Sequence, residues 1–196
     1  MPPLGPAPNG PKALLPLTPL SALAVSRHQI PAHGLIPNTS IQRKPLILYR
    51  AAFATPAPPT AEQIEAHLRA VGVCSPMWRW PMYPDDHFHT TAHEFVVMWR
   101  GRARLNFGGE GCPGAVVVEV GPGDAVLIPG GVSHRLVQDL SEGTTFEMVG
   151  SYMVGSEHWD LCYGRPGEEE HVANIKGLAW FDRDPLYGDG GPAATS

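Results

Sequence analysis

Residues 87–94 read His87-Phe88-His89-Thr90-Thr91-Ala92-His93-Glu94, and residues 123–134 read Gly123-Asp124-Ala125-Val126-Leu127-Ile128-Pro129-Gly130-Gly131-Val132-Ser133-His134. Two histidines at i and i+2 lie on one face of an extended strand, because successive side chains alternate across a sheet. That spacing can clamp a metal between two imidazoles. Glu94 follows His89 by five residues, and Thr90-Thr91-Ala92 offers the irregular step that returns its carboxylate to the imidazole face. Gly101 then allows a tight turn. The second stretch is a turn, an apolar strand, a proline-glycine corner and a third histidine. His93 directly precedes Glu94 and faces away from the imidazoles on a regular strand; an outward structural role is favoured over a proton shuttle.

The surroundings have the rhythm of short strands. From about Trp78 to Tyr152, apolar runs are broken by Gly108-Gly109, Gly121-Pro122-Gly123 and Gly130-Gly131, the punctuation of a β-barrel or a double-sheet jelly roll. The chain of 196 residues has 22 glycines and 22 prolines, which disfavours a helical bundle, and its 43% hydrophobic residues suit one domain with its own core. Residues 45–53, PLILYRAAF, read as a first strand. Thr60 with Gln63 forms a capping-box pattern for a scaffold helix whose Ile64, Leu68 and Val71 share a face before Gly72 stops it. A short acidic helix is expected near Glu168–Ile175. The proline- and alanine-rich start, weakest in pattern up to about residue 27, predicts an extended N-terminal arm over 1–42 and a single domain over 43–190.

Charge and cysteine usage exclude several classes. The 14 Lys and Arg are scattered and outnumbered by 19 Asp and Glu, so no basic stripe exists for nucleic acid. No run reaches the roughly 20 apolar residues of a membrane helix. Cys74, Cys112 and Cys162 have no paired spacing and read as buried thiols in a reducing compartment. The apolar stretch 13–25 and the sequon Asn38-Thr39-Ser40 loosely imitate a secreted protein. Pro16 and Pro19 inside that stretch argue instead for the cytoplasm. His28, His33, His67, His158 and His171 show no ligand spacing and are expected at the surface, and Asp85-Asp86 reads as a turn cap.

Together these residues resemble the cupin superfamily. Its first motif, H-x-H followed by E and then G, is matched by His87, His89, Glu94 and Gly101. Its second, G then P-x-G and H, is matched by Gly123, Pro129, Gly131 and His134. Pro81 replaces the glycine that usually opens the first motif, and Gln138 the asparagine that often closes the second. A narrower resemblance covers most of residues 30–192: the run from His87 to Glu94, Phe107-Gly108-Gly109, Val149-Gly150-Ser151-Tyr152, Trp159-Asp160 and Asp184-Pro185-Leu186-Tyr187-Gly188 look like a single-domain group often labelled YjlB-like. That group supplies a fold but no settled reaction.

The resemblance implies an all-β cupin, a double-stranded β-helix or jelly-roll barrel with one or two short peripheral helices. It implies one divalent transition metal on His87, His89, Glu94 and His134. Three imidazoles and a carboxylate suit iron, manganese, nickel, copper or zinc rather than calcium or magnesium. The implied activity is that of a metal-dependent enzyme acting on a small organic molecule, with Glu94 and His134 as catalytic candidates. Dioxygenase-type oxidation of an oxygen-bearing or aromatic substrate leads. Redox-neutral decarboxylation, isomerisation or lyase chemistry, or a non-catalytic metal- or ligand-binding role, are the alternatives. Alternation places Met98 on the face of Glu94, Leu136 and Gln138 on that of His134, and Tyr83 in parity with His87. These four, with Trp78 or Trp80, are the candidate substrate-binding residues, core packing being the competing account of Met98 and Leu136. Similar barrels pair as homodimers, so a homodimer is expected.

Overall fold

The structure, a computed structural model, describes residues 14–196. Its strands are β1 (Ala24–His28), β2 (Leu46–Arg50), β3 (Cys74–Trp80), β4 (Glu94–Arg100), β5 (Ala103–Phe107), β6 (Val116–Val120), β7 (Ala125–Ile128), β8 (His134–Asp139) and β9 (Glu147–Met153). All pairings are antiparallel. One sheet of six strands has the order β1-β2-β7-β4-β9-β3, and one of three has the order β6-β5-β8. Side chains alternate across the larger sheet. Leu46, Leu48, Val96, Met98, Val126 and Ile128 point inward against Ala103, Leu105 and Phe107 of the smaller sheet. Ile47, Tyr49, Phe95, Val97 and Leu127 point outward into a second apolar cluster.

That second cluster is covered by helix and tail. Helix α1 (Ala61–Val71) starts with the full Thr60–Gln63 capping box and ends at Gly72 in the left-handed conformation, φ 74°. It buries Ile64 and Leu68 completely against the sheet, worth roughly 1.5–3 kcal/mol each. From the C-terminal segment, Phe181, Leu186 and Ala193 pack beside them. A sheet buried on both faces calls for unbroken apolar strands, which is why Phe95-Val96-Val97-Met98 and Ala125-Val126-Leu127-Ile128 show no polar alternation. Helix α2 (Glu169–Asn174) is the short acidic helix expected from the sequence.

Two expectations change. Part of the predicted arm is a strand: β1 pairs with β2 from Ala24↔Arg50 to His28↔Leu46, and Leu17 bridges Phe53. The folded unit therefore begins well before residue 43. Edge pairing needs only backbone groups, so Ala24-Val25-Ser26-Arg27-His28 joins the sheet without a strong apolar pattern; the arm's first 13 residues lie outside the described part. His67 is buried rather than at the surface. Its Nδ1 accepts from the Leu15 amide at 3.0 Å and its Nε2 donates to the Leu186 carbonyl at 2.9 Å, tying both chain ends to α1. The three cysteines are free and buried. Among the described residues no helix is long and apolar enough to cross a membrane.

Candidate metal centre

His87 and His134 face each other as a bridged pair between the 87–89 segment and the start of β8. His87-Phe88-His89 is extended, so both imidazoles turn to one side while Phe88 is fully buried on the other and pairs with Cys162. The chain then bends at Thr90-Thr91, the irregular step that puts Glu94, first residue of β4, on the imidazole side. Asp160 holds that bend: its carboxylate accepts from the Thr90 amide at 2.6 Å and from the Thr91 hydroxyl at 3.3 Å. Downstream, Gly101 has φ 71°, and a Cβ there would lie 2.7 Å from the Phe146 Cα, so the turn from β4 to β5 requires glycine.

Ring centroids of His87 and His134 are 4.2 Å apart, those of His89 and His134 5.3 Å. The three imidazoles are buried and form a cluster with ligand atoms close enough to hold a metal ion. Glu94 Oε1 lies 3.6 Å from His89 Nε2, and its Oε2 3.3 Å from His134 Nε2. Each ring is fixed from behind by a backbone carbonyl. His87 Nδ1 donates to Asp85 and His134 Nδ1 to Val132, both at 2.9 Å, and His89 Nδ1 donates to Asp160. With the proton committed to Nδ1, the inward Nε2 of a neutral ring carries a lone pair. His134 Nε2 has no hydrogen-bond partner.

A buried carboxylate beside two imidazoles is satisfied by a proton on a ring or by a cation between them. Burial and then the neighbouring His134 push His87 down to about 3, keeping it neutral. Burial by itself would lower His89, but Glu94 beside it raises it above the usual imidazole value. Burial would likewise raise Glu94, yet His134 and His89 hold its carboxyl well below the ordinary range. A proton on His89 meets this demand, and an ion held by the three-histidine cluster would meet it as well. Tyr152 completes the shell. It lies opposite Glu94 in the β4–β9 register and donates to Oε1 at 2.6 Å, while its oxygen accepts from Trp78 Nε1 at 3.2 Å. Gly150 makes room for that indole, since a Cβ there would lie 2.0 Å from it.

The cluster floors a narrow, partly open cavity of about 20 Å³, room for little more than one water. Its walls are aromatic (Trp78, Tyr83, Tyr152, Trp159) and otherwise apolar (Pro81, Met82, Met148, Leu161). Tyr83 stands at the rim, its ring 5.3 Å from that of His87. Met98, Leu136 and Gln138 do not line it. Met98 shares the inward face of Glu94, as alternation predicts, but lies two pleats along β4 in the barrel core. Leu136 packs partly against that core, and a register shift between Arg104 and Leu105 turns the end of β8 outward. Gln138 is therefore exposed, its oxygen accepting from Arg104 at 3.3 Å. Trp80 is also exposed. Tyr152, Met148, Trp159 and Asp160 were not singled out as site residues, because only strand register and the return of the 156–162 segment bring them here. His93 points away, accepting from the Gly130 amide at 2.9 Å and packing on Trp180. Asp86 does not cap its own turn: its carboxylate accepts from the Glu110 amide, 24 residues on, at 2.7 Å.

Two facing antiparallel sheets with a histidine cluster between them are the cupin plan, and the chain belongs to the cupin family, whose model, described simply as Cupin, matches residues 61–186. Within it the chain is YjlB-like. It is 38% identical over 112 residues to the uncharacterized protein YjlB of Bacillus subtilis (strain 168), covering 57% of this chain and 64% of that protein, just under two thirds of its length. Solved structures of similar fold include a single-substitution variant of the oxalate decarboxylase of B. subtilis, 20% identical with TM-score 0.37, covering 68% of this chain and 33% of that one. Procruciferin, the 11S globulin of Brassica napus, is 15% identical with TM-score 0.36, covering 57% and 30%.

Proposed function

We propose that this protein is a metal-dependent enzyme acting on a small organic molecule, with one divalent transition metal held by His87, His89, Glu94 and His134. The observation that carries the reading is the anchoring of each Nδ1 to a carbonyl oxygen, which gathers three imidazoles into one buried cluster and turns the Nε2 atoms of His89 and His134 toward the Glu94 carboxylate. Such a donor set fits iron, manganese, nickel, copper or zinc and leaves coordination positions open, unlike a closed structural site. When bound, the metal supplies Lewis acidity and, if redox-active, reactivity toward dioxygen.

Dioxygenase-type oxidation is the leading reaction. The chain's own contribution is to position and to exclude water: the carbonyl clamps fix the rings, Tyr152 holds one Glu94 oxygen, and the apolar walls keep solvent from the reacting atoms. A redox-neutral decarboxylation or isomerisation is the second reading, favoured by the Tyr152 hydroxyl, a proton donor already hydrogen-bonded to Glu94 in the cavity wall. Metal analysis of protein purified without added metal, followed by a small-molecule screen in air and under nitrogen, tests both. Turnover only in air supports oxidation, and turnover in both supports the second reading. Metal content that survives Glu94→Ala with His134→Ala overturns the proposed site. We further place the protein in the cytoplasm, in keeping with three free cysteines. A homodimer formed by covering the exposed sheet edges completes the proposal; light scattering at the monomer mass at micromolar concentration would overturn that last point.

A further inference from the structure

A second group of metal-type ligands lies behind His89, on the segment that returns past it. Asp160 Oδ2, Cys162 Sγ and His171 Nδ1 all come within 4.8 Å of one another. The sulfur is 3.8 Å from the carboxylate oxygen, and the imidazole nitrogen 4.0 Å from it. Tetrahedral zinc, with bonds of about 2.0–2.3 Å, sets its donors roughly 3.4–3.6 Å apart. Two of the three ligands are held in place. Cys162 pairs with Phe88 through both backbone groups, and the Asp160 carboxylate is positioned by Thr90 and Thr91. His171 is the adjustable one: its side chain is 59% exposed, and it sits on α2, which buries none of its own side chains. A small turn of that ring closes the remaining gap.

Charge favours a cation here. Among the described residues neither Asp160 nor Glu168 pairs with a lysine or arginine. Asp160 has His171 as its ion-pair partner, and Glu168 accepts from the amides of Tyr163, Gly164 and Arg165. Burial, then the charges of Asp160 and Glu168, push the Cys162 thiol up to about 12. Such a thiol does not ionise by itself at neutral pH. A divalent ion reverses the balance, because a thiolate and a carboxylate together neutralise it, and the thiol proton passes to solvent as the sulfur binds. Asp160 Oδ2 has lone pairs for both the Thr90 hydroxyl and a metal. Sulfur and imidazole donors select a zinc-like ion over calcium or magnesium.

We propose that Asp160, Cys162 and His171 form a second metal site, separate from the histidine centre, which binds a zinc-like divalent ion and leaves its fourth position to solvent. Bound there, the ion staples α2 to the 158–162 segment, which brings Trp159 to the cavity wall and the Asp160 carbonyl to His89 Nδ1. The second site does not require the histidine centre to hold a metal.

The test titrates the full-length protein, its thiols reduced, with cobalt(II), which occupies zinc sites and absorbs in the near ultraviolet when a thiolate binds it. The histidine centre offers no sulfur, so this absorption reads the second site alone. Wild type is expected to develop the band with one cobalt per chain. Cys162→Ser should abolish it. His171→Ala, at an exposed position that leaves the fold intact, should weaken binding of that cobalt by at least about tenfold. Matching melting curves of the metal-free proteins show that a ligand, not the fold, has been lost. Cobalt bound without a sulfur band, a band that survives Cys162→Ser, or an affinity untouched by His171→Ala overturns the inference while leaving the histidine centre standing. A band that persists in Glu94→Ala with His134→Ala and disappears in Cys162→Ser upholds it, even if the histidine centre proves to hold no metal.

Discussion

Two buried carboxylates on opposite faces of the larger sheet have contrasting surroundings. Asp184, fully buried in the C-terminal segment, accepts only from donors: the Tyr49 hydroxyl at 2.8 Å and the amides of Leu186, Tyr187 and Ala193 at 2.9, 3.0 and 2.9 Å. Glu94, also buried, accepts from Tyr152 and otherwise meets the Nε2 atoms of His89 and His134. One anion is satisfied by the chain and closes a structural knot. The other faces groups that can carry either a proton or a metal ion, the surroundings expected of a functional rather than a structural carboxylate.

The largest effect should come from breaking the knot. Asp184→Ala leaves three amides and the Tyr49 hydroxyl without their partner, and is expected to cost about 3–5 kcal/mol in denaturant unfolding. Its metal affinity should be unchanged; a parallel loss of metal would show that the two carboxylates belong to one unit. At the site the pattern reverses. Glu94→Gln or His134→Ala should lower metal affinity at least about 100-fold, beyond what outer-shell changes produce. Metal-free Glu94→Gln is expected to lose less stability than Asp184→Ala, since two imidazoles rather than four donors hold its carboxylate ionised. A loss as large as that of Asp184→Ala would mean Glu94 is a scaffold residue like Asp184.

Tyr152→Phe sharpens the contrast by removing the one chain-supplied donor to Glu94. Metal affinity is expected to fall by about tenfold, with the fold retained, as titration against a competing chelator would record. The smallest effect concerns His67, which burial holds below its ordinary value of 6.5. Because the unfolded chain then binds the extra proton more readily, His67 favours the folded state fully above that ordinary value, and its contribution falls as pH drops below it. His67→Gln should flatten this part of the stability profile. A profile unchanged by the substitution would assign the acid sensitivity to other groups.

Local chemistry made the centre legible. His87 and His89 at i and i+2, the broken step before Glu94 and the proline-glycine corner before His134 carry their meaning in spacing alone, because strand alternation is a property of the backbone. The capping box of α1 was readable for the same reason, its partners being three residues apart. Alternation failed for Gln138, where a register shift in β8, invisible in the sequence, rotates the strand end into solvent. It also gave no sign of Tyr152 opposite Glu94, of Gly150 beneath Trp78, or of Trp159 and Asp160 returning from about 70 residues away to clamp His89 and its neighbours. Cross-strand register and loop return depend on how the whole barrel closes, so only the tertiary structure decided them. Sequence alone determined which side chains are fit to bind a metal; the fold decided which carbonyls aim them, and what walls and charge meet a ligand there.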